Sequence, residues 1–159
     1  MTPPADRSDN RAGARRSPVQ TAALLYGVVF LLVGVAGFVP GITTNYDTMQ
    51  VAGHHSEAML LGIFQVSVLH NIVHLLYGVA GLALARSGSG ARHYLLWGGV
   101  VYLVLWIYGL VVDEQSQANF VPLNDADDWL HLFLGVTMIG LSFLRRDRAG
   151  STAAGAARR

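Results

Sequence analysis

Four apolar runs, separated by short polar connections, organise this chain. The runs at 19–39 and 94–112 contain no Asp, Glu, Lys or Arg, and each is about long enough to cross ~30 Å of hydrocarbon. The run at 60–85 is longer than one crossing needs and contains His70, Asn71 and His74. The last run is short when counted from Trp129 and reaches full length, 126–144, only if its helix begins near Asp125. Pro40-Gly41 is a stop signal for the first run, and Ser87-Gly88-Ser89-Gly90 reads as a tight turn between the second and third. Asn124 or Asp125 offers an N-cap for the fourth. The stretch Ile42–Ala58 reads as irregular and turn-like. The pattern predicts an all-α fold, an antiparallel four-helix transmembrane bundle with spans at 19–39, 60–85, 94–112 and 126–144. A disordered basic tail is expected at 1–18, and a basic, Ala/Gly-rich tail at 145–159.

Charge turns these spans into a topology. All 11 basic side chains are arginines. Arg7, Arg11, Arg15 and Arg16 precede the first run, Arg86 and Arg92 lie between the second and third, and Arg145, Arg146, Arg148, Arg158 and Arg159 follow the fourth. The other two connections hold only acids: Asp47, Glu57, Asp113, Glu114, Asp125, Asp127 and Asp128. Membrane insertion retains arginine in short cytoplasmic loops, so both termini are expected in the cytoplasm. The first run exceeds the ~7–15 apolar residues of a signal peptide and reads as an uncleaved anchor.

Composition narrows the function classes. At 159 residues, 52% hydrophobic and 13% charged, the chain is too apolar for an ordinary soluble domain. It has no cysteine, which excludes thiol–disulfide exchange and Cys-ligated metal or iron–sulfur centres. No glycine spacing forms a nucleotide fingerprint, no Ser/His/acid triad stands out, and no basic, aromatic-laced surface speaks for nucleic acid. Serines inside the runs, Ser67 and Ser142, read as helix glue. The expectation is a non-enzymatic protein whose partners are the lipid bilayer and a membrane protein or second copy. The absence of lysine beside abundant Ala, Gly and Arg points to a GC-rich bacterial genome, hence to a multi-pass protein of the bacterial cytoplasmic membrane.

Candidate chemistry concentrates in one layer. His70 and His74 are spaced i, i+4 and share a helix face with Gly78, Gly81 and Ala85. His131 shares its face with Asp127, Gly135, Met138 and Ser142. Counting from the arginines at 1.5 Å per residue puts the three histidines at about 18–24 Å, one common depth, with Tyr108 beside them. Three readings follow. Neutral imidazoles hydrogen-bond between helices, to Asn71, Tyr108 or backbone carbonyls, and set the packing. Alternatively, His70, His74 and His131 ligate a transition metal, with Asn71, Tyr108, Asp127 and Asp128 around them. Haem is the lesser version of this reading, for want of an arginine on that side to hold propionates. The third reading is a proton or small-solute path. His54, His55 and Glu57 read as a solvated loop.

An internal echo links the two histidine helices. His74-Leu75-Leu76-Tyr77-Gly78-Val79 matches His131-Leu132-Phe133-Leu134-Gly135-Val136, with His70-Asn71 and Asp127-Asp128 equally far ahead. This predicts a duplicated two-helix hairpin. The runs Val68–Arg86 and Asn119–Gly135, with the Pro40–Tyr46 turn, resemble the bacterial family called domain of unknown function 4383. The likeness spans roughly Pro18 to Leu144. It implies a small four-helix integral membrane protein and brings no activity or functional residues with it.

Overall fold

The computed structural model describes residues 16–144. The two arginine-rich tails therefore lie outside the described residues except for positions 16–18, of which Pro18 already belongs to the first helix. The fold is mostly helical: α1 Pro18–Ala36, α2 Val68–Leu84, α3 Gly88–Val111 and α4 Asp125–Ser142. Two of these helices, α1 and α3, are long and apolar enough to cross a membrane, and α2 is apolar but shorter.

Each helix end has a local cause. Ser17 precedes α1, and the Gln20 side chain accepts from its backbone and hydroxyl at 3.1 and 3.0 Å. The same Gln20 amide donates to the carbonyls of Ala85 and Arg86, both at 3.1 Å, satisfying acceptors left over at the end of α2. Thr43 Oγ1 serves the end of α1 likewise, donating to the Ala36 and Gly37 carbonyls. Ser87 caps α3 by accepting from Gly90 N. Gly88 and Gly90 thus belong to the first turn of α3, and the expected linker shrinks to the residues just before it.

The largest departure is at 59–67. Instead of opening the second helix near residue 60, these residues form two short strands. Strands β1 (Thr43–Thr44), β2 (Met59–Leu60) and β3 (Phe64–Gln65) make a small antiparallel sheet in the order β1-β2-β3. The β2–β3 turn passes through Leu61 and Gly62 at φ 55 and 71, a left-handed backbone that no helix continues. α2 starts only after Ser67, whose side chain accepts from His70 N at 3.1 Å. Ser67 is therefore a cap rather than helix glue, whereas Ser142 does bond back to the Ile139 carbonyl.

The helices pack as two matching hairpins. A Cβ added to Gly27 of α1 would lie 2.9 Å from Leu82 N of α2, and one on Gly78 would meet Leu31. In the second hairpin a Cβ on Gly99 would lie 2.8 Å from the Gly135 carbonyl and meet Ile139, and one on Gly135 would meet Leu103. Gly37 closes on the Asn71 amide, and Gly109 closes on the Asp128 carboxylate. The first helix of each pair is displaced by 72 positions (Gly27 to Gly99, Leu31 to Leu103, Gly37 to Gly109). The second is displaced by 57 (Asn71 to Asp128, Gly78 to Gly135, Leu82 to Ile139). Contacts repeated at constant offsets are the structural form of the sequence echo. Between the hairpins lies a core of Ala23, Phe30, Ala91, Leu95, Tyr102 and Met138.

Candidate functional site: a histidine layer beneath a hairpin lid

The Ser67 cap sets the phase of α2 so that His70 and His74 face inward, and both are buried. Asn124 does the same for α4. It accepts from Asp127 N at 3.0 Å, while Asp127 Oδ2 accepts from Asn124 N at 3.2 Å, a reciprocal cap that turns Asp127 and His131 inward. Asp127 Oδ2 also accepts from Gln65 N at 3.0 Å, and Asn124 Nδ2 donates to the Ile63 carbonyl at 2.8 Å. The start of α4 is thereby fastened to the β2–β3 hairpin.

Five aromatic rings then close a circuit through all four helices. Phe30 of α1 stacks on His74 at 5.8 Å, His74 contacts His70 at 4.6 Å, and His70 faces His131 of α4 at 6.5 Å. His131 contacts Tyr102 of α3 at 5.2 Å, and Tyr102 stacks on Phe30 at 5.4 Å and 4° between planes. These distances are within or near the separations at which aromatic pairs attract. The duplication is visible here too, since Phe30 corresponds to Tyr102 and His74 to His131. His70 corresponds to Asp127, an imidazole in one hairpin and a carboxylate in the other.

Between the circuit and the hairpin is a chamber of about 80 Å³. Leu60, Leu61, Phe64 and Val66 line it from the hairpin side, and His70, His74, Asp127 and His131 supply its polar wall. His70 Nδ1 lies 3.1 Å from the Gln65 carbonyl. A carbonyl only accepts, so Nδ1 bears the proton and Nε2 of the neutral ring keeps a lone pair. His74 Nδ1 and His131 Nδ1 are buried without a hydrogen-bond partner.

The expected site residues divide accordingly. His70, His74, His131 and Asp127 come together. Asn71 does not join them; it packs on Gly37, with Nδ2 toward Met49 Sδ at 3.9 Å. Asp128 is turned to the Gly109 backbone of α3. Tyr108 points elsewhere, donating to the Ala118 carbonyl. Its place beside His131 is taken by Tyr102, six residues earlier and so about 240° away around the helix at 100° per residue. Tyr102 also lies about 9 Å nearer the arginine end of α3, so depth counting grouped the histidines but missed the tyrosine in level and phase alike. Phe30, Tyr102 and the hairpin lid were not anticipated, although extending the echo to the first and third helices aligns Phe30 with Tyr102. His54 and His55 sit on the loop with rings 4.0 Å apart.

The layer also constrains what it can hold. Among the described residues no group of three or more His, Cys, Asp or Glu side chains is arranged to hold a metal ion. Haem does not fit, because the chamber is about 80 Å³ and pockets for ligands well below porphyrin size start near ~300 Å³. The expected interhelical hydrogen bonding is likewise thin, with only His70 among the three histidines holding a protein partner among the described residues.

The family model described as Domain of unknown function (DUF4383) matches residues 20–144. The chain belongs to the DUF4383 family. The match begins within the first turn of α1 and ends just past α4, so both hairpins and the lid fall inside the DUF4383 domain. No curated protein and no solved structure matches the chain.

Proposed function

We propose that this DUF4383 protein is a four-span antiparallel bundle of the bacterial cytoplasmic membrane, both ends cytoplasmic, acting as a non-enzymatic structural or interaction protein. In this reading the aromatic–histidine layer sets how the helices pack. One observation carries it: every helix turns large apolar side chains outward and has glycines or polar groups among its buried positions. Leu32 of α1, Leu76 of α2, Val104 of α3 and Phe133 of α4 are 64, 63, 58 and 62% exposed. The buried positions include Gly27, Gly34, His70, Asn71, His74, Gly78, Gly98, Gly99, Asp127, His131 and Gly135, beside larger core residues such as Phe30, Leu95 and Met138. A water-soluble bundle has the opposite polarity, whereas small and polar seams with apolar rims are how helices associate in lipid. The outward apolar face extends to α2 and α4 as well. α2, at 17 residues, covers about 25 Å, and the hairpin lies beyond its end.

A packing role makes a specific demand on His131. His131→Ala deletes the ring contacts to His70 and Tyr102 and should lower stability in detergent by about 1–2 kcal/mol, the scale of two aromatic pairs. His131→Phe keeps a ring there and should recover most of that loss. Thermal unfolding of the two variants, with elemental analysis of unchelated wild type, makes the test. Equal destabilisation by Ala and Phe, together with a stoichiometric transition metal lost from both, would sink the packing reading.

A further inference from the structure

The geometry points to a ligand for the chamber under the hairpin: we propose that it binds one small hydrogen-bond-donating cation, ammonium or a short protonated primary amine. Asp127 is its counter-charge, and His70, His74 and His131 are its acceptors. The volume of about 80 Å³ exceeds the ~30 Å³ share of one water. It is also far below a drug-sized pocket. The chamber is lined mostly by Val, Leu and Phe side chains, and the three imidazoles and the Asp127 carboxylate are its few polar points. His70 Nε2 presents a lone pair because Nδ1 donates to Gln65. His74 and His131 line the chamber, are each at least nine-tenths buried, and have an Nδ1 without a hydrogen-bond partner. Asp127 is 2% exposed. Its Oδ2 takes two backbone amides, and among the described residues no protein donor reaches Oδ1 and no basic side chain pairs with the carboxylate. A buried carboxylate with no cationic partner either takes up a proton or gains a partner of opposite sign, and a cation in the chamber would be that partner.

Ammonium matches this wall better than a metal does. Direct coordination requires donors converging at ~2.0–2.2 Å, and no group here is so arranged. Hydrogen bonds of ~2.9–3.0 Å suit a wider cage. Ammonium has four N–H donors, and the wall offers four acceptors in two duplicated pairs, His74 with His131 and His70 with Asp127. Potassium has a similar size and no N–H to offer. The packing role uses the faces of the rings and this role uses their nitrogens, so the two are separable by substitution.

The test is calorimetric titration of the full chain in detergent with ammonium chloride against potassium chloride, at constant ionic strength and neutral pH. The expected result is saturable one-site binding of ammonium and none of potassium. Asp127→Asn retains an oxygen for the Gln65 and Asn124 amides and should weaken ammonium at least tenfold. His131→Phe should do the same while leaving the protein folded, which keeps the proposal testable if the Asp127 variant does not fold. No ammonium binding, an equal response to both salts, or undiminished binding by both variants overturns it. His131→Phe that loses ammonium while keeping its melting temperature separates this site from the packing role.

Discussion

Gly81→Leu is expected to break the seam between α1 and α2. A Cβ at this position would lie 2.7 Å from Gly27 Cα and 2.8 Å from the ring and hydroxyl of Tyr94. The first obstacle is backbone, so no rotamer change relieves it and the two helices must separate. Overpacking costs about 1–3 kcal/mol, and with α1 unable to yield the expected loss is about 3 kcal/mol. Denaturation in detergent reads it directly. Gly140→Ala is the control: a Cβ there meets nothing within 4 Å, so helix propensity alone should make it neutral or stabilising by up to about 1 kcal/mol. Similar unfolding for Gly81→Leu and wild type would mean that the helices do not approach this closely.

Asp127→Ala should be at least as damaging, for a different reason. One carboxylate oxygen accepts from Asn124 N, closing the cap of α4, and from Gln65 N, holding the hairpin over the chamber. Hydrogen bonds to charged groups contribute about 1.5–3 kcal/mol each, so losing both costs about 3–6 kcal/mol on that scale. The distinguishing sign is local. The Gln65 amide should lose protection against hydrogen exchange before the α1–α2 seam does. Asp127→Asn, which keeps an acceptor, should fall between Ala and wild type. An unchanged Gln65 amide in the Ala variant would show that Asp127 does not hold the lid.

The helices were legible where composition leaves little choice. The charge-free runs led to α1 and α3, and Asn124 marked the start of α4. Met59–Gln65 was not legible as strand, because a continuous apolar stretch fits a buried helix or a buried strand equally. Gly62 and the capping Ser67 were the available clues. The site was half legible. The i, i+4 spacing and the echo united His70, His74 and His131, and Asp127 shared their face. Which tyrosine joins them depended on how far α3 slides along α4 and how it is turned, neither of which counting residues from the arginines supplies. The expected hydrogen bonds were a matter of partners. Side chains such as Asn71 and Asp128 were claimed instead by glycine gaps in the facing helix, a contact that only tertiary register decides. The echo itself was readable in α2 and α4, where histidines and acids mark it. In α1 and α3 it rests on glycines and interchangeable apolar residues, common enough in such helices to pass unnoticed.

The proposed four crossings, with both ends on the arginine side, are the central claim, and reporter fusions test it most directly. Alkaline phosphatase matures only outside the cytoplasm, where its disulfides form. Fused after Gln115, in the acidic connection between α3 and α4, it should be active; fused after Leu144 it should be silent. Activity after Leu144 would contradict the account, since α4 would then not return the chain to the cytoplasmic face.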